Sequence, residues 1–137
     1  MTMNLLTSSS ISRVNAGLSA GTGTTTTSAV NVTGYAAVSF LVNLSTVAAT
    51  GSATLSVQGS DNGSDWTSLE GSVTRDAAGV LAIEVERPMF EQVRAQLVRA
   101  DANVTTDAVM AIRQRASQNP VEDTGQTVAV LVSPDAA

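Results

Sequence analysis

The apolar residues of this chain recur at every second position, and that period constrains its fold more than any other feature. In YAAVSFLVNL, Val38, Phe40, Val42 and Leu44 face one way while Ser39, Leu41 and Asn43 face the other. Such alternation is the mark of a half-buried strand, because successive side chains leave a pleated backbone on opposite faces. Apolar character on both faces suits a central strand. ATGSATLSVQGS repeats the pattern, with Leu55 and Val57 inward against Thr54, Ser56 and Gln58, and the two segments read as consecutive antiparallel strands.

The period continues downstream. VLAIEVE sets Leu81, Ile83 and Val85 against Ala82, Glu84 and Glu86. After the break at Arg87-Pro88, Val93, Ala95 and Leu97 alternate with Arg94, Gln96 and Val98. Helix-forming residues are frequent there, yet the alternation favours a strand. If these two strands are neighbours, pairing Val85 with Val93 opposes Glu84 to Arg94. RADANVTT reads as a short polar turn, and the strand after it buries Ala108, Met110 and Ile112 by parity.

The sharpest turn signal is SDNGSDW, residues 60–66. Asn62-Gly63 tolerates the positive φ of a tight hairpin, which predicts a turn over Asp61 to Asp65 with Trp66 beneath it as core filler. Asp61, Asn62 and Asp65 superficially resemble a calcium loop, but the ligand spacing fails and the terminal glutamate is missing.

About seven strands at regular spacing over residues 28–115 predict an all-β fold. The expected architecture is an antiparallel β-sandwich, immunoglobulin-like or jelly-roll, with an extended N-terminal arm and a C-terminal tail. Residues 1–27 are rich in Ser, Thr and Gly, with Leu5, Leu6, Ile11, Val14 and Leu18 as their apolar anchors. That composition predicts an arm, either frayed or ordered against a partner. Residues 116–137 form a linker and tail with one uncharged apolar stretch, TVAVLV at 127–132, which must close an edge of its own sandwich or augment a neighbouring chain.

Composition narrows the chemistry. The 137 residues contain no cysteine, histidine or lysine, so the common thiol, imidazole and amine nucleophiles and bases are absent. No G-x-S-x-G elbow occurs, and Glu84 and Glu86 share a face without a third polar group to separate their roles. We therefore expect no enzyme, no cofactor and no metal. A net charge of −5, with seven scattered arginines, disfavours direct nucleic-acid binding. No run approaches the roughly 18 residues of a membrane span, and MTMNLLTSSSISR has no secretory pattern, so a soluble protein made in a cytoplasm is expected. A carbohydrate-binding sandwich would rest on Trp66 and Tyr35 and survives only if Trp66 is exposed to solvent, since the chain has four aromatic residues in all.

One resemblance adds to this reading. TTTTSAVNVTGYAAVSFLVNL, the S-D-N-G-S-D-W turn, the RP-x-F-x-x-V-R segment at 87–94 and Asn119-Pro120 together resemble small tailed-bacteriophage virion proteins of the capsid decoration, or cement, type. The resemblance spans roughly residues 22–121. It implies a non-catalytic protein on the outer capsid surface, binding the major capsid protein and bridging its subunits, and forming a homo-oligomer, trimer or dimer, matched to the lattice axes. A tail or head-to-tail structural protein would share the same features. The arm and tail are then the expected contact segments, through Leu5, Leu6, Ile11, Val14, Val128, Val130, Leu131 and Val132.

Overall fold

The computed structural model describes residues 9–116, and all of its regular structure is antiparallel sheet. Nine strands follow one another: β1 (Ser10–Asn15), β2 (Leu18–Thr26), β3 (Val30–Asn31), β4 (Tyr35–Val47), β5 (Ser52–Ser60), β6 (Thr67–Ser68), β7 (Val73–Arg75), β8 (Gly79–Glu86) and β9 (Gln92–Ala116). They form one sheet with β9 at its centre.

Strand β9 has 25 residues and would measure about 80 Å if straight. A domain of this length has a radius of gyration of only roughly 14 Å, so the strand must bend. It bends near Asp101, which adopts φ 71°. The guanidinium of Arg99 holds the corner, donating from Nη1 to the carbonyls of Ser19 at 2.7 Å and Val104 at 2.8 Å. The N-terminal half of β9 pairs with β5 (Leu55 opposite Leu97), and the C-terminal half pairs with β4 (Phe40 opposite Ala111). On its other edge β9 pairs in turn with β1, β2 and β3. The sheet curls into two layers, one built on β4, β8 and β1, the other on β5, β6, β7, β2 and β3.

The expected alternation is present in β4 and β5. Val38, Phe40, Val42 and Leu44 are fully buried, as are Leu55, Val57, Val93, Ala95 and Leu97, and together they form the core between the layers. Strand β4 is central, between β8 and β9. Each buried Leu or Phe contributes roughly 2–3 kcal/mol of transfer free energy.

Several expectations change where tertiary geometry overrides local pattern. β4 and β5 do not pair with each other: the turn at Ala48–Gly51, where Thr50 adopts φ 70°, carries the chain round the corner so that both strands lie end to end along β9. β8 and β9 are not neighbours either. Val85 pairs with Val38, Val93 pairs with Gly59, and Glu84 and Arg94 are not opposed. RADANVTT is not a turn, because β9 runs through it as the bent middle of one strand.

The buried set in the second half of β9 is Val104, Thr106, Val109 and Ala111, while Ala108, Met110 and Ile112 are half-buried. The reason is a change of parity. The inward positions are odd-numbered from Val93 to Leu97, even-numbered at Val104 and Thr106, and odd-numbered again at Val109 and Ala111. The first change falls at the Asp101 corner. The second falls where four residues of β9 (Thr106 to Val109) match three of β4 (Leu44 to Val42), a bulge that turns every later side chain over.

Residues 10–26, expected as an arm, are strands hydrogen-bonded to β9. Strand β2 is mostly exposed, so its polar Thr and Gly residues hide it from hydrophobic periodicity; its backbone ladder, rather than apolar burial, holds it. The tail beyond Ala116, with TVAVLV, lies outside the described residues, as do Leu5 and Leu6.

The parity change yields a direct test. Val109→Asp places an unpaired charge in the core and is expected to cost more than about 3 kcal/mol or prevent folding, whereas Met110→Asp costs much less. Urea denaturation of the two variants distinguishes them, and equal losses would mean that the bulge is misplaced.

Candidate functional site

Of the residues expected to contact a partner, only two lie among those described. Val14 is 4% exposed and belongs to the protein's own core, which removes it as a contact. Ile11 is half-buried on β1, opposite Ile112 of β9. Leu5, Leu6, Val128, Val130, Leu131 and Val132 fall outside the described residues.

The structure instead assembles a platform at the end of the molecule where β5 leaves and β9 begins. β5 and β6 form a hairpin, with Gly59 opposite Thr67, closed by a loop longer than the tight turn that Asn62-Gly63 suggests. Side chains organise it. Asn62 Oδ1 accepts hydrogen bonds from the Ser64 and Asp65 amides, both at 2.8 Å, and its Nδ2 donates to Asp65 Oδ2 at 2.8 Å. Ser60 Oγ accepts from the amides of Asn62 at 3.2 Å and Gly63 at 2.9 Å. Gly63 alone within the loop needs positive φ, 76°, which explains glycine there. Four loop amides are thus satisfied locally through one asparagine and one serine, the usual way these side chains replace a ladder.

This loop is locked to the β8–β9 connection. Asp61 Oδ1 accepts from the Glu91 amide at 3.1 Å. The ring of Phe90 lies directly against the Gly59 backbone, so closely that a Cβ at position 59 would collide with it. Beyond Phe90, Arg94 stacks over the Trp66 ring at 4.0 Å from its centroid and donates from Nε to Gln58 Oε1 at 2.9 Å. Trp66 is therefore a half-buried outer-face residue under an arginine, not core filler, because the inward positions at that level are filled by Val57 and Val93. One face of its ring is occupied, which leaves little aromatic surface for stacking a sugar.

The S-D-N-G-S-D-W and RP-x-F-x-x-V-R segments, some 25 residues apart in sequence, are consequently one structural unit. From it projects Met89, 86% exposed, next to Arg87, whose amide donates to Ala36 O at 2.9 Å and whose φ of 51° is unusual for a non-glycine residue. Sequence reasoning missed Met89. The available signal was a large apolar residue between Pro88 and Phe90 in a polar connection.

Among the described residues, no group of three or more acidic side chains converges in a way that would hold a metal ion. No helix there is long and apolar enough to cross a membrane.

No protein-family model and no curated protein matches this chain. Among solved structures it is similar to the PBSX exported protein XepA, at 20% identity and a TM-score of 0.60, over 98% of this chain and 46% of that one. The chain thus spans less than half the length of XepA, and the similarity shows a shared fold. A second structure, the CBM22-1-GH10 modules of Clostridium thermocellum endo-1,4-beta-D-xylanase 10B complexed with xylohexaose, overlaps at 11% identity and a TM-score of 0.45, over 95% of this chain and 30% of that one. That overlap is too loose to carry an argument.

The platform makes two expectations measurable. Gly59→Ala should destabilise the protein by about 1–3 kcal/mol through the clash with Phe90, and Phe90→Ala in the same chain should recover part of that loss, as a double-mutant cycle in urea would show. Arg94→Ala should shift Trp66 emission to longer wavelength and increase iodide quenching; unchanged emission would mean that the guanidinium does not cover the ring.

Proposed function

We propose that this chain is a non-catalytic structural protein of a bacteriophage particle, and specifically a decoration protein that binds the outer surface of the head and bridges capsid subunits. The observation that carries the reading is the single platform formed by the two segments on which the resemblance to decoration proteins rests, with Asp61 holding Glu91 and Arg94 holding Trp66. Residues that keep a loop rigid while leaving Met89 in solvent suit a surface that meets another protein, since a preordered loop loses little entropy on binding. The fold shared with XepA, a phage-related protein, supports a phage setting.

The residue chemistry is consistent with that role. A chain without histidine, cysteine or lysine is poorly equipped for nucleophilic or general-base catalysis, and decoration needs none. Each copy can bind modestly, because repeated contacts over a symmetric lattice raise the effective affinity. A homo-oligomer matched to the lattice axes fits this reading.

Co-sedimentation of the purified protein with expanded heads that lack it tests the proposal. Saturable binding at a fixed number per capsid hexamer is expected, and Met89→Asp should weaken it by about tenfold or more if the platform makes the contact. Absence of saturable binding to such heads would overturn the decoration role.

A further inference from the structure

The two layers are joined differently along their two sides. On the β1 side, the Ser28 amide donates to Val14 O at 2.9 Å and ties one layer to the other. On the opposite side the layers end in β8 and in β6 with β7, and β8 has β4 on one flank and, among the described residues, no strand on the other. Between these margins runs an open groove of about 460 Å³. Its apolar lining comes from Val57, Leu69, Ile83 and Val85, and the acidic residues Glu70, Glu84 and Glu86 also line it.

The pattern of lining residues is informative. Side chains of a strand alternate between faces, so a wall made by four consecutive residues, Ile83 to Glu86, is made by the edge of the strand rather than by either face. Natural edge strands are usually blunted by lysine, proline, a bulge or extreme shortness. β8 has none of these: its eight residues contain no lysine or proline, and its register with β4 is unbroken from Gly79 to Glu86. Its only charged residues are Glu84 and Glu86, and among the described residues its outer flank is a regular, unpaired template.

We propose that the β8 edge receives an extended segment of another protein by strand addition, and that this segment alternates apolar side chains with lysine or arginine. Backbone hydrogen bonds to β8 supply the general affinity in such a mode, and alternate side chains supply the specificity. On the inner face an added strand would set its apolar residues beside Ile83, Val85 and Leu69, which are half-buried and already packed on the core. On the outer face its other residues would lie beside Glu84 and Glu86, where opposite charge on a neighbouring strand is favourable and like charge is not. Glu84 is fixed in place, its Oε1 accepting from Ser39 Oγ at 3.2 Å and Gln114 Nε2 at 3.0 Å. Glu86 has only a loose, exposed pairing with Arg115 at 3.7 Å, which an incoming cation can displace. Glu70 gives the opposite margin the same sign, and the net charge of −5 attracts a basic partner from a distance. This inference concerns the groove alone and does not rest on the phage reading.

The test is a fluorescence-anisotropy titration of the full chain with two labelled peptides, one alternating valine with lysine and the other valine with glutamate. The lysine peptide should bind saturably and the glutamate peptide at least about tenfold more weakly. Methylating alternate backbone amides of the lysine peptide, on the edge that meets β8, should abolish binding. The pair Glu84→Lys and Glu86→Lys should reverse the preference between the peptides; Glu70→Lys, in a loop outside every ladder, should weaken the lysine peptide even if the double variant folds poorly. Equal binding of the two peptides, unchanged binding after backbone methylation, or no saturable binding would each overturn the proposal. Retention of head binding by a chain that has lost the peptide would separate this groove from the head contact.

Discussion

Everything in this molecule hangs on the hydrogen-bonded ladder that β9 makes on both of its edges. A backbone buried in the centre of a sheet must find partners for its amides and carbonyls, and β9 pairs with β4 and β5 on one side and with β1, β2 and β3 on the other. Because this one strand bends, its partners bend with it, and a single sheet becomes two layers with Phe40, Leu44, Leu55 and Leu97 between them. The Asp101 corner, the Arg99 guanidinium and the Thr106–Val109 bulge are therefore the devices that make a sandwich from a ribbon.

The same geometry places the two surfaces of interest. The platform forms where β9 starts, since the strand's first residues bring Phe90, Glu91 and Arg94 alongside the end of β5 and its loop. The groove forms where, among the described residues, the layers end without a shared strand, between β8 and the β6–β7 margin. One surface is a rigid loop with an exposed methionine, suited to a shaped contact; the other is a strand edge with apolar and acidic lining, suited to an extended chain. The two surfaces differ in chemistry.

Where local pattern and tertiary context agreed, the strands were legible: β4, β5 and the first half of β9 bury the residues that period-two alternation selects. Disagreement is confined to places where a local rule lacks the information. Parity cannot see a bulge, so Met110 and Val109 exchange roles. Composition cannot see a ladder, so Ser-, Thr- and Gly-rich β1 and β2 read as an arm. Hydrophobicity cannot see that the inner positions around Trp66 are already filled, and the ring lies outside under Arg94.

By itself the sequence determined the fold class, the alternating core of β4 and β5, the chain reversal at Asp61 to Asp65 and the scarcity of catalytic groups, because each depends on residue type and spacing within a short window. Only the tertiary structure decided which strands are neighbours, that β4 and β5 share β9 rather than each other, that two distant motifs form one platform, and that β8 has β4 as its one paired strand among the described residues. Those outcomes depend on where a 25-residue strand bends and what pairs with it, and pairing between segments tens of residues apart leaves no trace in the period of either one.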